Sequence, residues 1–261
     1  MKVTFHAGAW GTDHLFQALN AITATGIRFV EVYADVATVY DGKADEFRFF
    51  LEKAGLSLAG AYGGGVFTDE DFREVDVEGA RATARWLRQA GGDLLILQGG
   101  EPSDDPERDL RVAAETADAV GKACLQEKIR FCYQPHIGSV FFTEEQIRAL
   151  LDATDPRLVH LCLATGHMSE AKVDLVPFIA DYIDRIRIVH LRDLRMKPIF
   201  VGGPFANAGK GTVPLPAIIG ALKSQEYAGW LVGFADDARI DPAQSARDFA
   251  DYATQKLRIL L

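Results

Sequence analysis

A single (β/α)8 barrel is the fold class this sequence predicts, and three observations carry it. Strand-like and helix-like segments alternate from one end of the 261 residues to the other. Such alternation implies a parallel sheet, because successive parallel strands need a crossover, usually a helix. Eight such units can be counted, in a length close to the roughly 250 residues typical of that barrel. The phosphate-binding signatures of an open, doubly wound sheet are missing. No G-x-G-x-x-G follows the first strand and no G-x-x-x-x-G-K-[ST] occurs, Gly209-Lys210-Gly211 being only an echo of it.

In chain order, KVTFH at 2–6 reads as the first strand, and Leu15, Leu19 and Ile22 line one face of a helix over 12–25. RFVEVY (28–33) is the second strand, followed by a helix over 44–54 that Gly55 ends. LSLAGAY (56–62) is the third, with a long helix from 69 to 90. DLLILQ (93–98) precedes a helix over 107–127, and IRFCYQ (129–134) precedes one over 144–153. That last helix opens on Thr143-Glu-Glu-Gln, the pattern of a capping box. RLVHLCL (157–163) and RIRIVHL (185–191) are the sixth and seventh strands, with a helix at 173–182 between them. A longer loop, 192–213, leads to a helix with Pro214 and Pro216 near its start, where proline is tolerated. WLVGF (230–234) and a helix over 242–258 complete the eighth unit. No linker or low-complexity segment divides the chain, so 1–261 reads as one barrel domain.

Composition bounds the function. Hydrophobic residues make up 48% and charged residues 25%, as in an ordinary globular protein with a sizeable core. A formal net charge of −9 argues against nucleic acid, which needs clustered Lys and Arg, and against a polybasic membrane contact. The apolar runs are too short to cross a bilayer, and the first residues lack a signal-peptide core. A cytoplasmic location is expected, with Cys124, Cys132 and Cys162 as buried, reduced thiols.

Barrel chemistry sits at the C-terminal ends of the strands. That rule selects His6 on strand one, Glu31 on strand two, and Gln98 with nearby Glu101 on strand four. It further selects Tyr133, Gln134 and His136 on strand five, His167 after strand six, His190 and Asp193 on strand seven, and Phe234 on strand eight. Four of the six histidines therefore fall on one rim, and histidine is both the usual acid–base group near neutral pH and the commonest metal ligand. Trp10, just past strand one, is placed to stack on a sugar, and Lys210 in the glycine loop to bind a substrate carboxylate or phosphate.

The stretches YQPHIGSVFFTEEQIRALLDATDPRLVHLCLATGH (133–167), IVHLRDLR (188–195) and EYAGWLV (226–232) resemble the xylose isomerase-like TIM barrel family, most closely its inosose-dehydratase-like branch. The resemblance implies carbohydrate chemistry at sugar or polyol carbons next to a carbonyl, by an isomerase, epimerase or dehydratase (a lyase), on a small sugar-like substrate. It makes a homo-oligomer a reasonable expectation. It also implies a divalent metal held by one residue at the end of each of strands five to eight. Carried over, those positions are Gln134, Ala164, His190 and Phe234, so one ligand of four is retained. Alanine and phenylalanine supply no lone pair, and the neutral carbonyl of glutamine is a poor ligand for a transition metal.

Three readings stay open on the sequence. The first is an enzyme without metal or other cofactor, with His136, His167, His190, Asp193 and Glu101 as acid–base groups. His6, Trp10, Glu31, Gln98, Tyr133, Gln134, Lys210 and Phe234 would then contact substrate. The second is a metal-dependent enzyme holding Mn, Co or Zn on the remnant His136, His167 and His190. The third is a non-catalytic barrel that binds a sugar-like ligand or supports a partner subunit.

Overall fold

The computed structural model describes residues 1–196 and 203–261, so part of the long loop 192–213 lies outside the described residues. Eight parallel strands close into a barrel: β1 Lys2–His6, β2 Phe29–Tyr33, β3 Ser57–Gly64, β4 Leu94–Gln98, β5 Arg130–Tyr133, β6 Val159–Ala164, β7 Ile186–Leu191 and β8 Trp230–Gly233. Each pairs with its neighbour in sequence, and β8 returns to β1 through the register Lys2↔Trp230 to Phe5↔Gly233. The outer helices are α1 Leu15–Thr23, α2 Ala44–Lys53, α3 Arg73–Ala90, α4 Pro106–Gln126, α5 Glu144–Ala153, α6 Leu175–Tyr182, α7 Leu215–Ser224 and α8 Pro242–Asp251.

Strands buried on both faces read as nearly continuous apolar runs, which is why LLILQ and VHLCLA carry so few polar residues. Their two faces form separate cores. Ala59, Tyr62, Leu94, Ile96, Cys132, Cys162, Ile188, Trp230, Val232 and Phe234 cluster together. The larger cluster, with Phe131, Leu161, Val189 and Leu231, takes in helix residues such as Leu87, Val120 and Ile218. Residues two apart on a strand share a face, so the first cluster fills the barrel and the second lies between barrel and helices. The three cysteines are buried and free.

The expected elements are present, with additions in the loops. The capping box at Thr143 forms: its side chain accepts from the Gln146 backbone N–H, and the Gln146 side chain accepts from the Thr143 N–H at 3.0 Å. A short helix, Thr165–Glu170, follows β6 directly, and Asp193–Leu194 pairs antiparallel with Phe205–Ala206 above β7. At the opposite end of the barrel Trp230 donates from Nε1 to Asp93 at 3.0 Å, and Lys2 lies 4.6 Å from its ring. Trp230 therefore belongs to the stability face. No described helix is long and apolar enough to cross a membrane.

Candidate active site

Strand parity decides which rim residues can meet. On β7, Ile188 and His190 face the barrel interior, and the same step of two carries Arg192 over its mouth. On β5, Cys132 faces in, so Gln134 follows it and Tyr133 faces out. Tyr133 is buried against Phe67 and Phe141 in the helix-side core and does not reach the barrel mouth.

Two polar layers result. The deeper one centres on Glu31, fully buried on β2. His6 Nδ1 lies 3.0 Å from Glu31 Oε1, and His190 Nε2 lies 3.1 Å from Oε2. A carboxylate accepts only, so each imidazole donates to it. Burial alone would push the Glu31 carboxyl up. The charge and hydrogen bond of His190, and then of His6, outweigh burial and hold it down at about 2. His190 is itself held low by burial, against the pull of Glu31.

Phe234 closes this layer from above. Its ring stacks on His6 at 4.9 Å and packs on His190 at 4.8 Å. Gly8 lets the chain pass tightly over His6: a Cβ there would sit 2.5 Å from His6 Nε2. Beside the layer, the Tyr62 hydroxyl donates to Gln98 Oε1, and the Tyr62 ring meets His190 edge-on at 5.6 Å.

The upper layer holds His136, His167 and Arg192. The rings of His136 and His167 lie 4.0 Å apart. One residue sets both tautomers. The Ile137 N–H points at His167 Nδ1 at 3.1 Å, so that nitrogen accepts and a neutral ring carries its proton on Nε2. The Ile137 carbonyl lies 2.7 Å from His136 Nδ1, which donates to it and leaves His136 Nε2 with the lone pair. Both rings are held below the ordinary histidine range, first by burial. The Arg192 charge adds to this for His136, and the charges of His136 and Arg192 add to it for His167.

Arg192 is fixed in place from several sides. Thr165 Oγ1 accepts from its backbone N–H at 3.0 Å and lies 2.7 Å from its carbonyl, joining the end of β6 to the end of β7. The guanidinium lies 4.2 Å from the centre of the Phe234 ring and 5.3 Å from that of Phe205. Its NH1 is 3.2 Å from His167 Nε2, and its Nε is 3.3 Å from Asp236 Oδ1. That last N–H is not aimed at the carboxylate, so the contact is an ion pair without a directed hydrogen bond.

Other expected site residues fall elsewhere. Asp193 is buried but accepts from the backbone N–H groups of Leu194, Gly209, Gly211 and Val213, at 2.8 to 3.1 Å. It organises the glycine loop and has no oxygen left for acid–base work. A Cβ at Gly211 would sit 2.5 Å from its Oδ1, which explains the glycine. Lys210 is exposed and lines an outer groove with Asp248, Asp251 and Tyr252. The Glu101 side chain is exposed on the loop after β4. Trp10 packs edge-on against Phe5 at 6.2 Å, as part of the helix-side core. Gln134 is buried, and its Oε1 has no partner among the described residues. Sequence reasoning missed Arg192. The signal was available, because Arg192 continues the inward parity of Ile188 and His190.

Residues 19–253 match the family model described as a xylose isomerase-like TIM barrel. The chain belongs to that family. An inosose dehydratase of Geobacillus kaustophilus (strain HTA426) is 27% identical over 240 residues, covering 81% of this chain and 77% of that relative. A sugar phosphate isomerase/epimerase from Parabacteroides distasonis ATCC 8503 superposes with a TM-score of 0.81 at 14% identity, covering 99% of this chain and 97% of the other. The 3-keto-D-glucoside 4-epimerase YcjR from E. coli gives a TM-score of 0.81 at 18% identity, covering 98% and 99%. The family is thus one of sugar isomerase, epimerase and dehydratase enzymes.

The chain's own strand ends do not fit the metal that the family resemblance implies. Phe234 puts a ring, and Ala164 a methyl group, where the resemblance calls for carboxylates. His190 spends Nε2 on Glu31, His167 spends Nδ1 on Ile137, and the rings of His136 and His167 lie against each other. Among the described residues no three His, Cys, Asp or Glu side chains converge as metal ligands. The fixed cation on this rim is a guanidinium.

Proposed function

We propose that the chain is an acid–base enzyme that enolises a hydroxy-carbonyl sugar, keto-sugar or polyol derivative without a divalent metal. The observation that carries this reading is the opposite tautomers that the Ile137 peptide imposes on two neighbouring imidazoles. His136 Nε2 offers a lone pair, and His167 Nε2 offers a proton. His136 takes the proton from the carbon next to the carbonyl. The C–H electron pair becomes the new C=C bond, and the carbonyl oxygen takes the proton of His167. The product is an enediol, the intermediate shared by isomerisation, epimerisation and dehydration. Burial keeps both imidazoles neutral near pH 7, the state this division of labour needs. Arg192 supplies the positive charge that favours a developing oxyanion.

The test is exchange of the substrate α-proton with deuterated solvent, followed by NMR in the presence of a chelator. Exchange should persist in EDTA and fall by roughly 10²- to 10⁴-fold in His136→Ala, the usual range for loss of a general base. Exchange abolished by EDTA and restored by manganese, cobalt or zinc would overturn the reading in favour of metal chemistry. Binding of a sugar without any exchange would point to a non-catalytic barrel.

A further inference from the structure

The hydrogen-bond pattern around His167 contains a conflict that a ligand would resolve. Two N–H groups point at its two ring nitrogens, from the Ile137 backbone and from Arg192 NH1. A neutral imidazole has one acceptor nitrogen only. The backbone amide cannot turn, so Nδ1 accepts and Nε2 carries the proton. Nε2–H and Arg192 NH1 are then two donors 3.2 Å apart with no acceptor between them. Arg192 Nε has no hydrogen-bond partner among the described residues. A side chain only 14% exposed, held against Phe234 and Phe205, thus keeps much of its donor fork without a partner among the described residues.

We propose that Arg192 and His167 form a subsite for a substrate carboxylate beside the reacting carbonyl, so that the compound turned over is a 2-oxo sugar acid rather than a neutral sugar. This rests on the acid–base reading above and names its substrate class. Guanidinium and carboxylate match as planar two-toothed partners. In a 2-oxo acid the carbonyl oxygen lies next to a carboxylate oxygen. Arg192 holds the carboxylate, His167 Nε2–H meets the carbonyl oxygen, and the next carbon faces His136 Nε2. Other charged groups leave room for this anion. Among the described residues Asp236 is the one carboxylate against the guanidinium, and it pairs with Nε without a directed hydrogen bond, leaving the rest of the fork to the substrate. Glu31 is already met by two imidazole N–H groups beneath the Phe234 ring.

Calorimetric titration in EDTA with 2-ketogluconate, fructose and fructose 1-phosphate tests this. These compounds differ at one carbon, which bears a carboxylate, a hydroxymethyl or a phosphorylated hydroxymethyl group. 2-Ketogluconate should bind at least about tenfold more tightly than fructose, as a charge-assisted hydrogen bond predicts, and more tightly than the phosphate. R192Q should reduce the preference to about one, and R192K should retain part of it. Melting curves confirm that each variant is folded. Equal binding of the acid and the neutral ketose, tightest binding of the phosphate, no binding of the acid, or a preference unchanged in R192Q would each overturn the subsite. H136Q separates the two ideas: it should lose proton exchange and keep the preference. If wild-type protein shows the preference without exchange, the subsite stands and the acid–base reading falls.

Discussion

The two polar layers of the barrel mouth each use a pair of histidines, to opposite ends. In the deeper layer one carboxylate receives an N–H from each of two histidines, and all three side chains are buried. In the upper layer two histidines press ring against ring and an arginine points a donor at a donor. The carboxylate at the centre of the deeper layer is met on both oxygens, although His6 Nε2 and His190 Nδ1 have no partner among the described residues, whereas the upper layer sets donor against donor, which is costly unless a ligand completes it. A histidine pair therefore reads as framework around a carboxylate below Phe234 and as reaction site beside a guanidinium above it. Distance to the strand ends would not have separated them; hydrogen-bond partners do.

The largest effect that could break this comparison is expected at Glu31. Its removal in Glu31→Ala leaves two buried imidazole N–H groups without an acceptor, at a cost of about 1–3 kcal/mol each. Urea unfolding should show that loss, while His136→Ala, at the partly buried rim, should change stability far less and proton exchange far more. The pH dependence sharpens the contrast. The Glu31 carboxyl is depressed to about 2 in the fold. Its contribution is therefore complete above the unfolded value near 4.5 and is lost as pH falls toward 2. His190, His167 and His136 are also held low. Being bases, they take up protons more readily in the unfolded chain, so stability already declines as pH drops through about 6.5. Glu31→Gln should remove the step between 4.5 and 2 and leave the decline below 6.5. A wild-type protein equally stable at pH 7 and pH 3.5 would contradict the buried, neutral histidines.

The fold was legible because it depends on patterns a sequence carries locally. Apolar runs such as LLILQ, the Thr143 capping box and the alternation of units each fix a length of chain without reference to distant residues. The site was legible only in outline. Strand ends located His6, Glu31, His136, His167 and His190, but not which of them touch. Nothing in the spacing joins Glu31 to His190, which are 159 residues apart. Tyr133 was misplaced through parity, one residue off the inward face of β5. Asp193 was misjudged because its partners are backbone N–H groups in a loop, which no residue type advertises.

Asp193 gives a smaller test of the same distinction. Its four amide contacts make it part of the frame, although it stands next to Arg192 in sequence. Asp193→Asn replaces one acceptor oxygen with an N–H₂ group facing backbone donors. The expected loss is about 1–3 kcal/mol, the cost of unsatisfied buried groups, read as a lower midpoint in urea. The pH profile of proton exchange should keep its wild-type shape, because the carboxylate does not take part in the transfer. A profile that loses one limb in this variant would return Asp193 to the chemistry.

Phe234 belongs to both layers and offers the finest test. One ring contacts His6 and His190 below and carries the Arg192 guanidinium at 4.2 Å. Leucine nearly preserves the apolar seal and removes the π-face. Phe234→Leu should therefore cost less than about 1.5 kcal/mol in stability, as a roughly volume-conserving core change does. The cation–π contact is worth about 0.5–2 kcal/mol, so binding of the sugar acid should weaken a few-fold while binding of the neutral ketose stays the same. If both ligands weaken together, the ring shapes the cavity and does not orient the cation. If stability collapses instead, the seal over Glu31 depends on the aromatic stack, and the two layers are coupled more tightly than their separate hydrogen bonds imply.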